Sequence, residues 1–438
     1  MDALVSGLTQ AVQSRLTRLF SALWFVVCGL VCVFAQPVVA DDAAVLPKGI
    51  ARLHWDLYLY HPTTQRYNAD GKREDLASPF TNAALDSRVL PLLSPLDTAV
   101  GGVASIGEVS VDYEYGIEVL DFGFSYGVTD DLSVGLHMPY YWISNDVNTA
   151  FDTTSANVGL NPGAGPELIP LAAGGVPLTN DDVQNLIVGN YGFDAIDSWQ
   201  REGIGDIELG AKYRIHQGPS SALAITGGVR FPTGYEDDPD LLNDVAWSFG
   251  TEAVLMRLHF DYLLSRHWSA AEQEWNPGDP AAGDVVLNLT LRVDYMLPDE
   301  KLMRIGDTPE QTLTNNRERV SRELGNMFNL EASLYYHATS ALTLGATYTY
   351  GFKEKDDIDG DLGYNYASLE ADTDSMERVV IVSASYSTLD AFRRKQSTLP
   401  MEFTLAYRER FDGEGPSSGQ ANPKLDTRWL VAGLRLFF

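Results

Sequence analysis

The end of the chain alternates between apolar and mixed positions. Apolar residues occupy every second position up to the last residue: Leu430, Ala432, Leu434, Leu436 and Phe438. The positions between them include the charged Arg435. A period of two is typical of a β-strand with one face in an apolar medium and one in polar surroundings. Such a strand could also end a soluble sheet, so the fold class depends on whether the pattern recurs.

The same alternation recurs along the chain and predicts twelve strands, each long enough to cross a bilayer when tilted, which takes about 9–11 residues. Ten or fourteen strands are the alternatives, because the sixth segment and its long turn have room for another hairpin. The predicted strands are 51–60, 108–126, 132–140, 207–215, 223–231, 245–264, 285–295, 328–336, 342–352, 377–386, 401–407 and 426–438.

Two predicted strands change phase. In the second, the apolar positions are odd-numbered up to Val119 and even-numbered from Leu120 to Tyr126. A slip of one residue reverses the faces of a strand unless an extra residue is accommodated, so we expect a β-bulge near Val119 and Leu120. A similar change occurs near Val254 in the sixth strand.

The predicted connections are lopsided. Those on one side are long, at 61–107, 144–202, 232–244, 297–326, 353–376 and 411–425, and those on the other are mostly short, at 128–131, 216–221, 266–283, 338–341 and 388–399. This asymmetry is typical of outer-membrane barrels. We therefore predict an all-β fold, a transmembrane antiparallel β-barrel of about twelve strands with long extracellular loops and mostly short periplasmic turns. A soluble β-sandwich is a weaker alternative, because its strands need neither a terminal Phe nor such uneven connections. A propeller is weaker still, since we find no fixed-period repeat.

The start of the chain resembles a secretory signal. Arg15 and Arg18 precede an uncharged apolar run, and small residues up to Ala40 offer a cleavage site before Asp41. We expect a signal peptide at 1–40 and a barrel at 41–438, with a retained transmembrane anchor as the alternative. Both cysteines of the chain lie within this segment, so the mature chain would hold no disulfide or thiolate site.

Composition supports a barrel and excludes several partners. After the signal region, the sequence has no further run of the roughly 18 apolar residues that a transmembrane helix needs. A membrane-spanning chain of this kind must therefore close as a barrel. The 21 Tyr, 8 Trp and 38 Gly suit strands, turns and interfacial aromatic belts. The net charge of −29 argues against nucleic acid and anionic membrane surfaces as partners.

Charged residues recur on the strand faces that we expect to line the lumen. A charge facing lipid near the midplane costs about 2–4 kcal/mol, so we expect these residues to point inward. Acidic and basic walls would orient a polar or amphipathic solute; alternatively the charges pair and fill a structural interior. The candidates are Glu108, Asp112, Glu114, Glu118, Asp206, Glu208, Lys212, Arg214, Arg230, Arg292, Arg408 and Arg435.

Catalytic and metal-binding signals are weak. The sequence contains no His-Glu-x-x-His zinc motif. The acidic run at 356–361 does not fit a calcium loop, because Leu362 and Ser368 stand where such a loop needs Gly and Glu. We therefore predict no catalytic residues, no cofactor and no metal site, and interpret the acidic run as a solvated loop.

Three stretches, Phe124–Tyr140, Gly203–Arg214 and Gly228–Gly234, carry a Tyr-Gly-Val-Thr-Asp turn, a Gly-Ile-Gly-Asp strand start and a Pro-Thr-Gly loop entry. Their order resembles outer-membrane proteins of the MetA-pathway of phenol degradation family, over about residues 105–260. The resemblance implies a transporter-like barrel that admits aromatic or other hydrophobic compounds. It supplies no catalytic residues.

The expected function is a channel in the bacterial outer membrane that admits small solutes by passive diffusion. Its partners would be outer-membrane lipid, a small-molecule solute and the barrel assembly machinery, which reads a terminal Phe such as Phe438 in this class of protein. We expect no enzymatic activity, and a monomer or small oligomer. The alternatives are a lipid-acting enzyme of the outer membrane and a structural or adhesive barrel.

Overall fold

The computed structural model describes residues 41–78, 81, 83–163, 167–267, 275, 281–309, 311, 313–415 and 424–438. The predicted signal peptide at 1–40 lies outside the described residues. No helix in the described ranges has the length and hydropathy needed to cross a bilayer.

Twelve long strands dominate the described chain, and all twelve were predicted. They are β1 (Ala51–Tyr60), β2 (Ser105–Gly127), β3 (Leu132–Asp152), β4 (Ile207–Gln217), β5 (Ser221–Phe231), β6 (Ala253–Leu263), β7 (Val285–Met296), β8 (Met327–His337), β9 (Leu342–Lys353), β10 (Ser375–Ser387), β11 (Met401–Glu414) and β12 (Arg428–Phe437).

These strands form a closed antiparallel barrel. Each strand from β3 to β12 pairs with the next one in sequence, and β12 pairs with β1, opposite Leu53 at Leu436 and opposite Tyr60 at Trp429. Strand β1 pairs with β2, and the long β2–β3 hairpin closes the ring. The predicted twelve-stranded barrel and the role of the last strand are thereby confirmed.

Shorter elements lie between the barrel strands. The strands are Gln65–Tyr67, Arg73–Asp75, Ala83–Asp86, Val158–Leu160, Leu168–Pro170, Trp199–Ile204, Asp299–Arg304, Arg317–Glu323, Asp357–Asp359 and Lys424–Leu425. The helical segments are Pro91–Leu96, Asp97–Val100, Leu171–Ala173, Asn180–Leu186, Ile187–Tyr191, Leu264–His267, Ala367–Glu370 and Leu389–Arg393. Most of them belong to the long connections. We call the barrel end that carries these the long-loop end and the opposite one the short-turn end.

The outer surface of the barrel is apolar. Every barrel strand exposes at least one large apolar side chain, for example Leu59, Phe124, Val134, Leu209, Val229, Met256, Tyr295, Leu334, Leu344, Val382, Leu405 and Leu430. A continuous apolar belt of this size is unfavourable in water and is the surface that transmembrane barrels present to lipid.

The prediction of a β-bulge in β2 is wrong, because the bulge is absent. Strand β2 pairs with β1 and β3 without a register shift through Val119 and Leu120. What changes at this point is the medium outside the strand. Between the short-turn end and Leu120, the outward residues of β2 belong to the apolar belt. Between Leu120 and the long-loop end, the β2–β3 hairpin extends past the barrel, so its outward residues are solvated and its inward residues are buried.

The predicted phase change in the sixth strand is also absent. Strand β6 begins at Ala253 and pairs continuously with β5 and β7. The preceding residues are not a strand. Trp247 turns back instead and packs in the interior, where its backbone nitrogen donates to Tyr235.

The interior has two halves of different character. The long-loop half holds an apolar cluster built from inward-facing side chains of several strands, together with Trp247. We call it the apolar cluster; its members include Tyr58, Val111, Tyr113, Tyr115, Ile117, Val119, Tyr141, Ile143, Val379, Ile381, Ala406, Trp429 and Val431. The short-turn half is polar and contains the cavity described next.

Candidate functional site

The short-turn half of the barrel encloses a cavity of about 1080 Å³. This volume lies at the upper end of the range for small-molecule pockets, about 300–1,000 Å³. Inward-facing residues of the barrel strands form its outer wall, and the segment before β1 forms part of its inner wall. The cavity is a candidate solute-binding space.

The segment before β1, residues 41–50, runs inside the barrel and is held there by its backbone. The nitrogen of Ala43 donates to the Asp261 carboxylate at 3.0 Å, and that of Leu46 donates to the Ser133 hydroxyl at 2.8 Å. Because these bonds hold the segment against β6 and β3 inside the barrel, it narrows the lumen. We call residues 41–50 the lumen segment.

A charge network lines the wall between β4 and β7. Glu208 lies 2.9 Å from Arg230, 3.2 Å from Arg257 and 3.3 Å from Arg292. Asp294 lies 2.5 Å from Arg230 and 2.7 Å from Arg292. Register explains the arrangement, since Glu208 pairs with Arg230, and Arg257 pairs with Arg292, on adjacent strands.

The lumen segment joins this network through Asp41. Its carboxylate lies 2.5 Å from the Lys212 ammonium and 2.8 Å from the Arg257 guanidinium. The wall network therefore combines four cations with three carboxylates. Buried ion pairs of this kind make removal of one partner costly, so the network fixes the lumen segment as well as the wall.

A second polar group lies where β1, β2 and β3 meet. His137 contacts Asp121 at 2.6 Å, and Arg435 contacts Asp56 at 3.5 Å. Gly123 of β2 lies between His54 of β1 and His137 of β3 in the register. It leaves room for the His54 imidazole, which an added Cβ would overlap.

This second group has the spacing of a metal site. Ligand atoms of His54, Asp56 and Asp121 lie within 4.8 Å of one another, which a divalent cation could bridge. However, Arg435 and His137 already face these two carboxylates. Because their counter-charges come from side chains, we assign no metal to the group.

Eight of the predicted lumen residues do lie inside the barrel, but they are spread over several environments. Glu208, Lys212, Arg230 and Arg292 form the wall network, and Arg435 belongs to the second group. Arg214 lies at the short-turn rim, 2.8 Å from Asp131, and the Arg408 guanidinium stacks 4.8 Å from the centre of the Trp429 ring. Asp206 accepts hydrogen bonds from Gly234 and Phe249, so it anchors a long loop.

The remaining four predicted residues do not line the lumen. Strand β2 has no bulge, so its even-numbered residues share the outward face of the lipid-exposed Phe124. The residues concerned are Glu108, Asp112, Glu114 and Glu118. Glu118 lies at the edge of the apolar belt, where it pairs with Leu59. The other three lie on the part of the hairpin beyond the paired length of β1, where water solvates a charge and no lipid cost applies.

Several lumen residues were missed by the sequence analysis. Arg257 lies in the strand whose predicted phase change obscured its face. Asp294 shares the inward face of Arg292 two positions away, so alternation alone could have found it. Asp41 lies before the first strand, where no periodicity reports which side chains enter the barrel.

Aromatic rings dominate the apolar cluster at its centre. The rings of Tyr60 and Trp429 lie 3.7 Å apart between centroids, and Tyr58 meets Trp429 edge-on at 5.3 Å. Among the described residues, the Tyr60 hydroxyl and the Trp429 indole nitrogen are buried without a hydrogen-bond partner. The cluster therefore combines an apolar surface with two hydrogen-bonding groups.

One stretch of β2 matches a serine-hydrolase motif. Gly123 to Gly127 matches the Gly-x-Ser-x-Gly pattern of hydrolases. A nucleophile elbow needs a sharp turn from a strand to a helix, whereas Ser125 lies inside β2. A second match at 415–419 falls mostly outside the described residues. The first match is therefore a strand sequence and gives no nucleophile.

No protein-family model and no curated protein matches the sequence. Among solved structures, an outer-membrane channel from Pseudomonas putida F1 is similar at 11% identity and a TM-score of 0.49, covering 92% of this chain and 100% of that one. The translocator domain of the autotransporter NalP from Neisseria meningitidis is similar at 8% identity and a TM-score of 0.36, covering 90% of each chain. A deletion mutant of the monoaromatic hydrocarbon channel TodX is similar at 10% identity and a TM-score of 0.34, covering 94% of this chain and 97% of that one. These likenesses assign no function, and the resemblance to the phenol-degradation family stays a prediction.

Proposed function

We propose that the chain is a passive, non-enzymatic channel of the bacterial outer membrane that admits small aromatic or other hydrophobic compounds. The observation that carries this proposal is the apolar cluster in the long-loop half of the lumen. Diffusion pores for polar solutes have a polar interior. An apolar interior instead favours an apolar solute, because each Å² of apolar surface removed from water contributes about 25 cal/mol.

The arrangement supplies a route with two stages. A solute first contacts the aromatic rings around Trp429, where the free hydroxyl of Tyr60 and the indole nitrogen can bond a single polar group on it. It then enters the cavity in the short-turn half. The lumen segment borders that cavity, so release toward the short-turn end requires the segment to shift.

The same surfaces support a placement in the membrane as part of the proposal. The apolar belt would contact outer-membrane lipid, with the long loops outside the cell. The terminal Phe438 pairs through its backbone with Ala51, and its side chain is 63% exposed. An accessible ring at this position suits recognition by the assembly machinery, which we include in the proposal.

The motifs quoted from Phe124–Tyr140, Gly203–Arg214 and Gly228–Gly234 give further support. They resemble a family associated with phenol degradation, in which a channel for aromatic compounds has an evident use. The paired charges of the wall network also support a channel for uncharged solutes, because cations already bonded to carboxylates have little capacity to select dissolved ions.

Whole-cell uptake tests the proposal. Bacteria expressing the chain should take up radiolabelled toluene faster than cells with an empty vector, while uptake of arabinose stays unchanged. Val119→Thr adds a hydroxyl to the apolar cluster at nearly constant volume, and burying it costs about 1–3 kcal/mol. We expect this variant to reduce toluene uptake at least twofold.

Val134→Thr is the matched control, since Val134 faces the lipid belt with 40% exposure. It should leave toluene uptake as in the wild type, at equal amounts of heat-modifiable barrel on gels. Equal toluene uptake with and without the chain, or faster arabinose uptake alone, would overturn the proposal.

A further inference from the structure

Glu331 is a buried carboxylate whose hydrogen bonding is incomplete. It lies on β8, faces the lumen and is 8% exposed. One bond comes from the backbone nitrogen of Asp41. Its Oε1 has no hydrogen-bond partner among the described residues. A buried carboxylate with an unpaired oxygen is costly, so a further donor is expected at this position.

The nearest residues in the sheet do not supply that donor. Glu331 pairs with Thr290 on one side and Thr349 on the other. The Thr290 hydroxyl donates to the Asp41 carbonyl oxygen at 2.5 Å. Arg257 and Arg292 donate to carboxylates of the wall network. The Arg257 Nε and the Thr349 hydroxyl have no hydrogen-bond partner among the described residues, so neither donates to Glu331.

Asp41 is bound at each of its polar groups. Its carboxylate contacts Lys212 and Arg257, as described above. Besides Thr290, its carbonyl oxygen accepts a hydrogen bond from the Asn288 amide at 3.3 Å. Its nitrogen faces Glu331. A chain terminus at this position would therefore be held at its side chain, its carbonyl group and its nitrogen.

We propose that Asp41 is the first residue of the mature chain and that Glu331 binds its α-ammonium group. The small residues up to Ala40 independently predict a signal cleavage site between Ala40 and Asp41. Hydrolysis of that peptide bond by a signal peptidase consumes one water, leaves a carboxylate on Ala40 and gives Asp41 an amine that takes up a proton. The single N–H that faces Glu331 becomes an ammonium with three donors, which provides the missing partner.

The pairing makes the lumen segment dependent on processing. In a chain that is still joined to its signal, residue 41 carries a neutral amide and Glu331 remains an uncompensated buried charge. After cleavage an ion pair forms at the deepest point of the segment. The ion pair therefore adds to the contacts that already hold the segment, and it does so only in the processed protein, whatever solute the barrel admits.

The N-terminus of protein purified from outer membranes is the first measurement. Intact mass and N-terminal sequencing should show a chain that begins at Asp41. A different first residue would overturn the proposal, and this result is independent of any uptake assay.

The second measurement is the rate at which an α-amine-selective aldehyde modifies the folded protein in detergent, read by mass spectrometry of the N-terminal peptide. Only the neutral amine reacts, and a pairing that raises its pKa by one unit reduces the neutral fraction tenfold. Wild-type protein should therefore react at least about tenfold more slowly than Glu331→Gln. Glu331→Asp should retain part of the protection.

Glu402→Gln is the matched control, since Glu402 is another cavity-lining carboxylate and faces Arg435 rather than Asp41. It should react as slowly as the wild type. The urea-unfolded wild type gives the unprotected rate, so the measurement remains informative even if Glu331→Gln fails to fold. Equal rates for folded and unfolded wild type, or for folded wild type and Glu331→Gln, would overturn the assignment.

Discussion

Arg230 is the centre of the wall network, and its removal should destabilise the barrel. Its side chain is 1% exposed and donates three hydrogen bonds, two to Glu208 and one to Asp294. Arg230→Met keeps much of the volume and the packing on Phe249 but leaves both carboxylates with one partner fewer.

The magnitude follows from the number of lost contacts. Each buried hydrogen bond to a charged group contributes about 1.5–3 kcal/mol, and Arg230 donates three of them, so the upper limit is about 9 kcal/mol. Arg257 and Arg292 remain beside Glu208, and Arg292 remains beside Asp294, which reduces the loss. Breaking a buried pair typically costs about 3–5 kcal/mol, and we expect about 3 kcal/mol here.

Urea unfolding of the protein in lipid vesicles, followed by tryptophan fluorescence under reversible conditions, measures this loss. The control is Arg378→Met, because Arg378 and its partner Asp412 are 42% and 31% exposed. An exposed pair contributes about 0–1 kcal/mol, so the control should unfold close to the wild type. If Arg230→Met also unfolds within 0.5 kcal/mol of the wild type, the charges are independently solvated and the network has no structural role.

Two further predictions concern other sites. Gly123→Ala should destabilise the barrel by about 1–3 kcal/mol, because the new methyl group overlaps the His54 imidazole. Gly227→Ala should not, because no atom lies within 4 Å of its added Cβ. Thermal unfolding in detergent compares the two variants, and equal melting temperatures would contradict the packing argument. In the long loops, burial raises the pKa of Glu318, but hydrogen bonds from the Tyr366 hydroxyl and two backbone nitrogens outweigh it and hold that pKa below its ordinary value of 4.5. Because the folded-state pKa is depressed, the carboxylate stabilises its loop above pH 4.5 and this contribution is lost as the pH falls through the folded value. Hydrogen exchange of residues 357–370 should therefore accelerate on acidification in the wild type and much less in Glu318→Gln; the same acid response in both would show that another group controls the loop.

The strands could be predicted from the sequence because lipid and lumen impose a strict alternation on them. Leu287 to Tyr295 in β7 alternates without interruption, and its predicted bounds differ from the observed strand by one residue at the end. The predicted faces of β2 were wrong, because alternation shows which residues are apolar and not whether they point into the lumen or toward lipid. Val119 is buried by an apolar interior and Leu120 by lipid, so two different media produced the same hydrophobic signal.

The residues of the site were less predictable than the strands. The alternation of inward and outward positions alone placed Glu208, Arg230 and Arg292 inside, since each lies on a part of its strand whose outward face belongs to the apolar belt. The same reasoning failed for Glu114, which lies above the belt, where a charge can point outward at no cost. Asp41 and Glu331 could not be paired from the sequence, because a non-repeating segment carries no information about which of the strands it contacts.

The distribution of charge and apolar surface inside the barrel favours one of the two interpretations of its lumen. Selection of dissolved ions by charged walls needs cations that are not already paired, even where they line the cavity. Arg230 and Arg292 instead bond to Glu208 and Asp294, and Lys212 bonds to the lumen segment. Their charges are used to hold the wall and the segment together. Under the proposed function, discrimination between solutes falls to the uncharged rings around Trp429, which is why we expect a single hydroxyl at Val119 to affect uptake and the lipid-facing Val134→Thr control not to.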